Sequence, residues 1–366
     1  MIQGRGASVA GESADLATRL RVTVSGPELF VGRTVELLRG MGFDARRAPS
    51  VNGLGAFRRR IAKIRIGAAT DVFLDIYGAR GFDRLQGPLA RIGVPTLMLW
   101  VGSDVVKAAP EASRAVIEQA WHWCVAPWLQ DELAEAGIAA EVVRITPPRV
   151  PDVVPAFPPT FGVLSYVLDG RDDLYGRDFI LELARRRPEI RFILLGAVPT
   201  DPLPANVTAL GWVSDTDSIM TQTTIYLRPA SHDGLSNLVL EALAHGRHVL
   251  WTHPFPGVEV VNTVDAAEAR IDELRRQHAA GRLPLNLEGR HAVIEMFDPS
   301  AVAHDISRGL VAIAEQRWRR PPGRFHRSIG RLILMGLRVV FRPNNIWATI
   351  VRGLRAEDPS LPAARV

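Results

Sequence analysis

Short apolar runs alternate with longer stretches of helical spacing along almost the whole chain, and a glycine or proline stands at most of the junctions. The first run, Arg21–Ser25, is rich in valine and threonine and reads as a strand; Gly26 and Pro27 then turn the chain into a helix predicted over residues 30–39. Residues 71–77 and 95–101 read as two buried strands. Residues 121–137 carry Trp121, Trp128, Leu129 and Leu133 at helix-like intervals and read as one helix stopped by Gly137, ahead of a strand at 141–145. Six prolines within residues 147–159 then make an extended linker. The alternation resumes beyond it. Strands are predicted at 161–167, 191–195, 207–214, 223–227 and 249–252, with helices at 177–187, from about 236, at 265–280 and at 301–316. Strand and helix in strict alternation predict an α/β chain with parallel sheets, built as two Rossmann-like units. The expected boundaries are an arm at 1–18, a first unit at 19–147, a linker at 148–160, a second unit at 161–316 and a tail at 317–366.

One stretch, residues 228–250, concentrates the chemistry. Its loop holds Asp233 and Gly234 immediately before an apolar helix beginning near Ser236. The first amides of a helix have no partner within it and the helix dipole adds partial positive charge, so such an end binds anions, phosphate above all. Asp233 precedes the helix and Glu241 lies about two turns along it, so both carboxylates can face one ligand lying across the helix start. A plainer alternative is an ordinary helix, capped by Asp233 or Ser236, with Glu241 in solvent.

The stretch resembles the signature of GT-B-fold glycosyltransferases, in particular glycosyltransferase family 4 (group 1). That signature is an acid, a glycine and, seven residues after the first acid, a second acid in a Glu-Ala-(Met/Leu)-Ala-x-Gly context. Here it stands as Asp233, Gly234, then Glu241-Ala-Leu-Ala-His-Gly246, with Asp in place of the usual first Glu. The resemblance implies that Glu241 holds the ribose hydroxyls of a nucleotide diphosphate sugar, that Asp233 lies by the transferred sugar, and that Gly234, Leu235 and Ser236 meet the diphosphate with the start of the helix. It further implies a cleft-facing glycine after the first strand, Gly26, and a cationic clamp in the first loop of the second unit. Arg171 fits the clamp, Tyr175 stands where the family commonly has Lys, and Arg228 is a second candidate. The run Val207 to Ser214, with Gly211 and Trp212, matches the segment beside the nucleotide base. The family often carries a His at the end of a strand comparable to 95–101. None is present here, and Asp104 occupies that neighbourhood beside Ser103, with Asp75 at the end of the preceding strand. A carboxylate there suits a general base toward an acceptor hydroxyl; a loop Asp capping the next helix is the structural alternative.

The activity implied is therefore transfer of a sugar from a nucleotide diphosphate sugar to a lipid-linked or cell-envelope glycan held by the first unit, with no cofactor and no metal. Two other readings fit the same architecture: a nucleotide-sugar epimerase, and a degenerate glycosyltransferase serving as a partner subunit. Asp215 and Asp217 form an Asp-x-Asp pattern, but they directly precede a helical stretch and read as its cap.

Composition changes this picture at two points. The single cysteine, Cys124, excludes an internal disulfide and a cysteine-based metal cluster, which suits the cytoplasm, and the first seventeen residues lack the pattern of a secretory signal. The net charge of +5 is unevenly placed: residues 317–366 hold eleven Arg against one Glu and one Asp, a net +9 that leaves −4 for the rest. Arg324, Arg327, Arg331, Arg338 and Arg342 share one helix face, which predicts a helix lying on an anionic membrane, at the inner face of the cell membrane. The alternative is a terminal helix crossing back onto the first unit. A second basic run, 57–65, is a solvated face or an edge drawn to an anionic acceptor. No nucleic-acid partner is expected.

Overall fold

In the computed structural model, residues 20–49, 56–77, 93–106, 117–145 and 147–319 are described, with residues 85 and 89 between them. The arm at 1–18 and the basic helix at 324–342 lie outside the described residues.

The first unit runs β1 (Arg21–Ser25), α1 (Glu28–Gly40), β2 (Asp44–Arg47), α2 (Ala56–Ala68), β3 (Val72–Ile76), β4 (Thr96–Trp100), β5 (Trp121–Cys124), α3 (Pro127–Glu135) and β6 (Glu141–Val142). Its sheet has the order β2-β1-β3-β4-β5-β6 and every pairing is parallel. Residues of β3 and β4 are buried throughout, as expected for strands covered on both faces.

The stretch 121–137 is a strand followed by a helix rather than one helix. Ala126 precedes Pro127, and the proline ring forces the residue before it into extended backbone, φ −145° and ψ 148°, while Pro127 itself suits a first helical turn. The four residues before that break pair with β4, Leu97 opposite Trp121 and Trp100 opposite Cys124.

The second unit runs β7 (Gly162–Val167), α4 (Asp172–Tyr175), α5 (Arg177–Arg186), β8 (Arg191–Gly196), β9 (Val207–Gly211), α6 (Thr216–Met220), β10 (Ile225–Arg228), α7 (Asn237–Ala244), β11 (His248–Trp251), β12 (Val258–Val260), α8 (Val264–Ala279) and α9 (Leu287–Met296). Its parallel sheet has the order β12-β11-β10-β7-β8-β9. Read from β9, this is the doubly wound 3-2-1-4-5-6 arrangement, whose strand order reverses between β7 and β10. The corresponding reversal in the first sheet lies between β1 and β3.

The last described helix, α10 (Pro299–Arg319), was expected to close the second unit and instead lies against the first sheet. Val302, Ile306, Leu310 and Ile313 recur at three- and four-residue steps and are buried in the same core as β3, β4 and β5. Gly309 lets the Trp123 ring lie against the helix: a Cβ there would stand 2.4 Å from Trp123 Cζ2.

The proline linker is clasped by the second unit. The Arg247 side chain, 0% exposed, donates to Met220 O (3.0 Å), Pro155 O (3.2 Å) and Ala156 O (3.2 Å), and its guanidinium lies 5.2 Å from the Phe157 ring centre. Arg290 donates to Ala244 O and to Pro151 O (2.9 Å), and His278 Nε2 lies 2.8 Å from Pro158 O. Among the described residues no helix is long and apolar enough to cross a membrane.

Candidate functional site

Both points of strand reversal open into one cleft of about 900 Å³ between the units. Ser25 and Gly26 at the end of β1 and Asp75, Ile76 and Tyr77 at the end of β3 form one wall; Tyr166 and Leu168 at the end of β7 and Arg228 at the end of β10 form the other. Parallel sheets place their ligands beyond the carboxyl ends of the strands for this reason: the strand order parts there and leaves a crevice. Gly26, at φ 143°, brings its turn so close to β3 that a Cβ would sit 2.6 Å from Ile76 O.

On the second wall, Leu235, Ser236, Asn237 and Leu238 line the cleft at the start of α7. Ser236 is the N-cap residue in extended backbone, and no side chain caps the helix. Its first amides therefore keep their donors for whatever fills the cleft. Glu241, one turn further in, is 2% exposed yet lines the same space. The Thr216 hydroxyl donates to its Oε2 at 3.0 Å. Burial pushes the Glu241 carboxyl above its ordinary range, against the pull of Thr216 and of Arg33 and Arg149 across the cleft.

Asp233 is held in a bidentate ion pair with Arg228, whose Nε and Nη2 donate to its two oxygens at 2.8 and 3.0 Å. Burial alone would lower the Arg228 pKa; the Asp233 carboxylate outweighs it and keeps the guanidinium charged. Arg171 also lines the cleft, and its Nη1 donates to Ser103 Oγ at 3.1 Å, joining the walls. Arg144 lines the cleft as well, with Arg33 of the first unit and Arg149 of the linker.

The loop carrying Asp233 is bolted to the first unit at three points. Trp128 Nε1 donates to Asp233 O at 2.9 Å, His232 Nε2 lies 2.8 Å from Glu132 Oε2, and Gly234 packs directly on the end of β4. A Cβ on Gly234 would stand 1.9 Å from Val101 O, and one on Gly102 2.9 Å from Gly234 N. Gly234 thus sits beneath the loop after β4, outside the lining of the cleft, and close backbone approach is what requires a glycine there.

Asp104 also lies outside that lining. It is 1% exposed, and its carboxylate accepts from the amides of Val101 (3.1 Å) and Gly102 (2.7 Å). Burial raises it to about 6, against the pull of those amides. With its oxygens so engaged, Asp104 braces the loop that meets Gly234 and does not face an acceptor. Asp75 is the carboxyl that reaches the first wall of the cleft. Burial raises it well above the usual range, and Ser25 is its hydrogen-bonding neighbour.

Asp215 caps α6, accepting from Ser218 N at 3.2 Å. Among the described residues no group of three or more His, Cys, Asp or Glu is placed to hold a metal ion. Thr216, Tyr77, Tyr166 and Trp128 were not found from sequence. Thr216 carried no signal beyond its place next to a capping Asp.

No protein-family model matches the sequence, and no curated protein matches it. Solved structures do match in fold. A glycosyltransferase from Rickettsia africae superposes with a TM-score of 0.63 at 11% identity, over 81% of this chain and 98% of that one. HepE from Anabaena, solved in complex with UDP and glucose, gives 0.59 at 12% identity over 80% and 99%. TarM gives 0.55 at 10% identity over 69% of this chain, which spans 58% of TarM. Two parallel six-stranded sheets facing one cleft are the GT-B fold of the glycosyltransferases, and this chain has that fold.

Proposed function

We propose that the chain is a glycosyltransferase that moves a sugar from a nucleotide diphosphate sugar to a glycan or lipid-linked acceptor of the cell envelope. The observation that carries this reading is the uncapped start of α7, which opens into the cleft between the buried Glu241 and the Arg228–Asp233 pair. In this reading Glu241 accepts from the ribose hydroxyls, and the amides at Leu235 and Ser236 meet the diphosphate with Arg171 and Arg228. As the bond between the anomeric carbon and the diphosphate oxygen breaks, these donors take up the charge left on the leaving group, and an acceptor hydroxyl forms the new bond while its proton passes to the departing diphosphate. Asp233 lies by the sugar, and the acceptor enters along the wall that carries Asp75 and Gly26. Amides and arginines suffice to hold the diphosphate, so the reaction needs neither metal nor cofactor. The basic run at 324–342 brings the enzyme to an anionic membrane at the cytoplasmic face.

A panel of UDP, GDP, ADP and dTDP sugars tests this, with donor consumption and calorimetric binding both measured in the presence of EDTA. The expected result is micromolar to millimolar binding of one nucleoside diphosphate and slow hydrolysis of its sugar conjugate, faster once acceptor is added. Conversion of the donor to an isomer without acceptor would mean an epimerase. Activity lost in EDTA and restored by manganese would refute the metal-free mechanism and return attention to Asp215 and Asp217. Binding of no nucleotide and consumption of no donor would leave a partner subunit.

A further inference from the structure

The chain of 366 residues contains four tyrosines; three of them gather around the Arg228–Asp233 pair, and the fourth lies beside two of those three. Tyr175 lies with its ring centre 4.5 Å from the Arg228 guanidinium carbon, Tyr166 at 5.7 Å, and the two rings meet edge to face at 5.5 Å. Tyr226, fully buried two residues before Arg228 on β10, supports the group from below. The fourth, Tyr77, comes from the opposite wall. It lines the same cleft, packs on Phe30 with ring centres 6.2 Å apart, and is an electrostatic neighbour of both the Tyr166 and the Tyr175 phenols.

Tyr77 is also the one described non-glycine residue with positive φ, at 67°. A bulky side chain is disfavoured there, and a glycine would adopt the same backbone freely. The chain places a strained phenol at the end of β3, facing the cleft, where the local geometry alone calls for glycine.

We infer that Tyr77, Tyr166 and Tyr175 form an aromatic seat for the transferred sugar ring above Arg228, with Tyr77 as the specificity-determining contact that the first unit supplies to a donor bound on the second. This rests on the transferase reading. Aromatic faces pack against the C–H faces of a pyranose while phenol hydroxyls bond its hydroxyls, so the seat suits a neutral hexose at the end of a diphosphate. On this assignment the diphosphate lies on the wall of the second unit, beside Arg228 and Tyr175, and the sugar is what meets Tyr77 on the opposite wall.

Four tyrosines make this directly readable. Protein carrying 13Cζ-tyrosine gives four signals, assigned from single Tyr→Phe variants, and is titrated with UDP, GDP and ADP and with their glucose or mannose conjugates. The Tyr175 signal should move with the diphosphate that binds, and the Tyr77 signal only with its sugar conjugate. By calorimetry Tyr77→Gly should weaken the sugar conjugate about three- to tenfold and leave the bare diphosphate unchanged, the scale of one hydrogen bond with an aromatic contact. Glycine relieves the strain but gives up the packing on Phe30, so Tyr77→Phe, which keeps the ring, serves as the control for folding and should recover part of the loss. A Tyr77 signal that ignores the sugar, or a Tyr77→Gly variant that loses diphosphate and conjugate equally, overturns the assignment while leaving the transferase reading intact. Absence of any nucleotide binding sinks both.

Discussion

Glu241→Gln separates a binding residue from a structural one. The side chain is 2% exposed with one hydrogen bond to its carboxylate, from Thr216 at 3.0 Å, and burial has already pushed its pKa up. The empty protein therefore gains little from this charge, and the neutral isostere should leave the melting temperature unchanged or slightly higher. A nucleotide reverses the balance. Two ribose hydroxyls donating to a buried carboxylate make charge-assisted bonds worth about 1.5–3 kcal/mol, so Glu241→Gln should weaken nucleotide binding roughly ten- to hundredfold. The pH dependence has a definite sign: the bonds are present above the raised pKa of Glu241 and are lost as pH falls through it. A nucleotide sugar is the proper probe, because its diphosphate is a diester and holds no proton that titrates in that range. Calorimetry of the wild type and the Gln variant across mildly acid to neutral pH reads all of this. Equal affinity in the two proteins, or a variant that unfolds several degrees early, would refute the reasoning.

Further outcomes follow from the contacts around the site. Gly234→Ala puts a methyl group 1.9 Å from Val101 O, where both neighbours are backbone, so the two loops must part; the contact should weaken by about 1–3 kcal/mol, seen as a larger radius of gyration by X-ray scattering. An unchanged radius and melting curve would mean that the loops are already apart in solution. Arg247→Met removes the donors to three carbonyls and should destabilise the second unit by about 3 kcal/mol in urea unfolding, whereas a loss below about 1 kcal/mol would mean the linker rehydrates freely. Asp104, raised to about 6 by burial, binds its proton more tightly folded than unfolded; stability should therefore fall by roughly 3 kcal/mol as pH rises from about 4 to 6, and Asp104→Asn should flatten that slope. Asp75 adds to the slope with the same sign. Deleting residues 320–366 should release a folded protein from anionic vesicles, since each Arg near the surface contributes about 1 kcal/mol; undiminished binding would remove the membrane role of the tail.

The strand-loop-helix-strand core at 223–251 was legible because its signals are local: a β-branched run, a Gly-bearing loop and an uninterrupted apolar helix. The same holds for β1, β3, β4 and β7. The misreading of 121–137 was avoidable, since Ala126-Pro127 marks a break, but four apolar residues at helical spacing outweighed it. What could not be read was which partner each element finds. The periodicity of α10 is that of any amphipathic helix and does not say that Gly309 meets Trp123 in the core of the first unit. Asp233 and Arg228 were each visible as site candidates, while their pairing depends on a loop folding back across five residues. The convergence of Tyr77 with Tyr166 and Tyr175 joins segments of opposite units, and Gly234 looked like a phosphate-loop glycine because the close approach of Val101 is a fact of tertiary packing alone.

The clasped linker fixes how the molecule can move as a machine. Two segments cross between the units, the linker and the turn into α10, and the linker is fastened to the second unit from Pro151 onward by Arg290, Arg247 and His278. The proline run is thus part of the moving body rather than its joint. Rotation is left to two short stretches, the residues between Ile145 and Pro151 and those between Met296 and Pro299, and two fixed points define one axle. Phe297 lies on that axle and also lines the cleft. A swing about it carries the β4 end away from Gly234 and Tyr77 away from Tyr175 in the same stroke, so in the proposed transferase the opening that admits a donor also dismantles the place where its sugar would react.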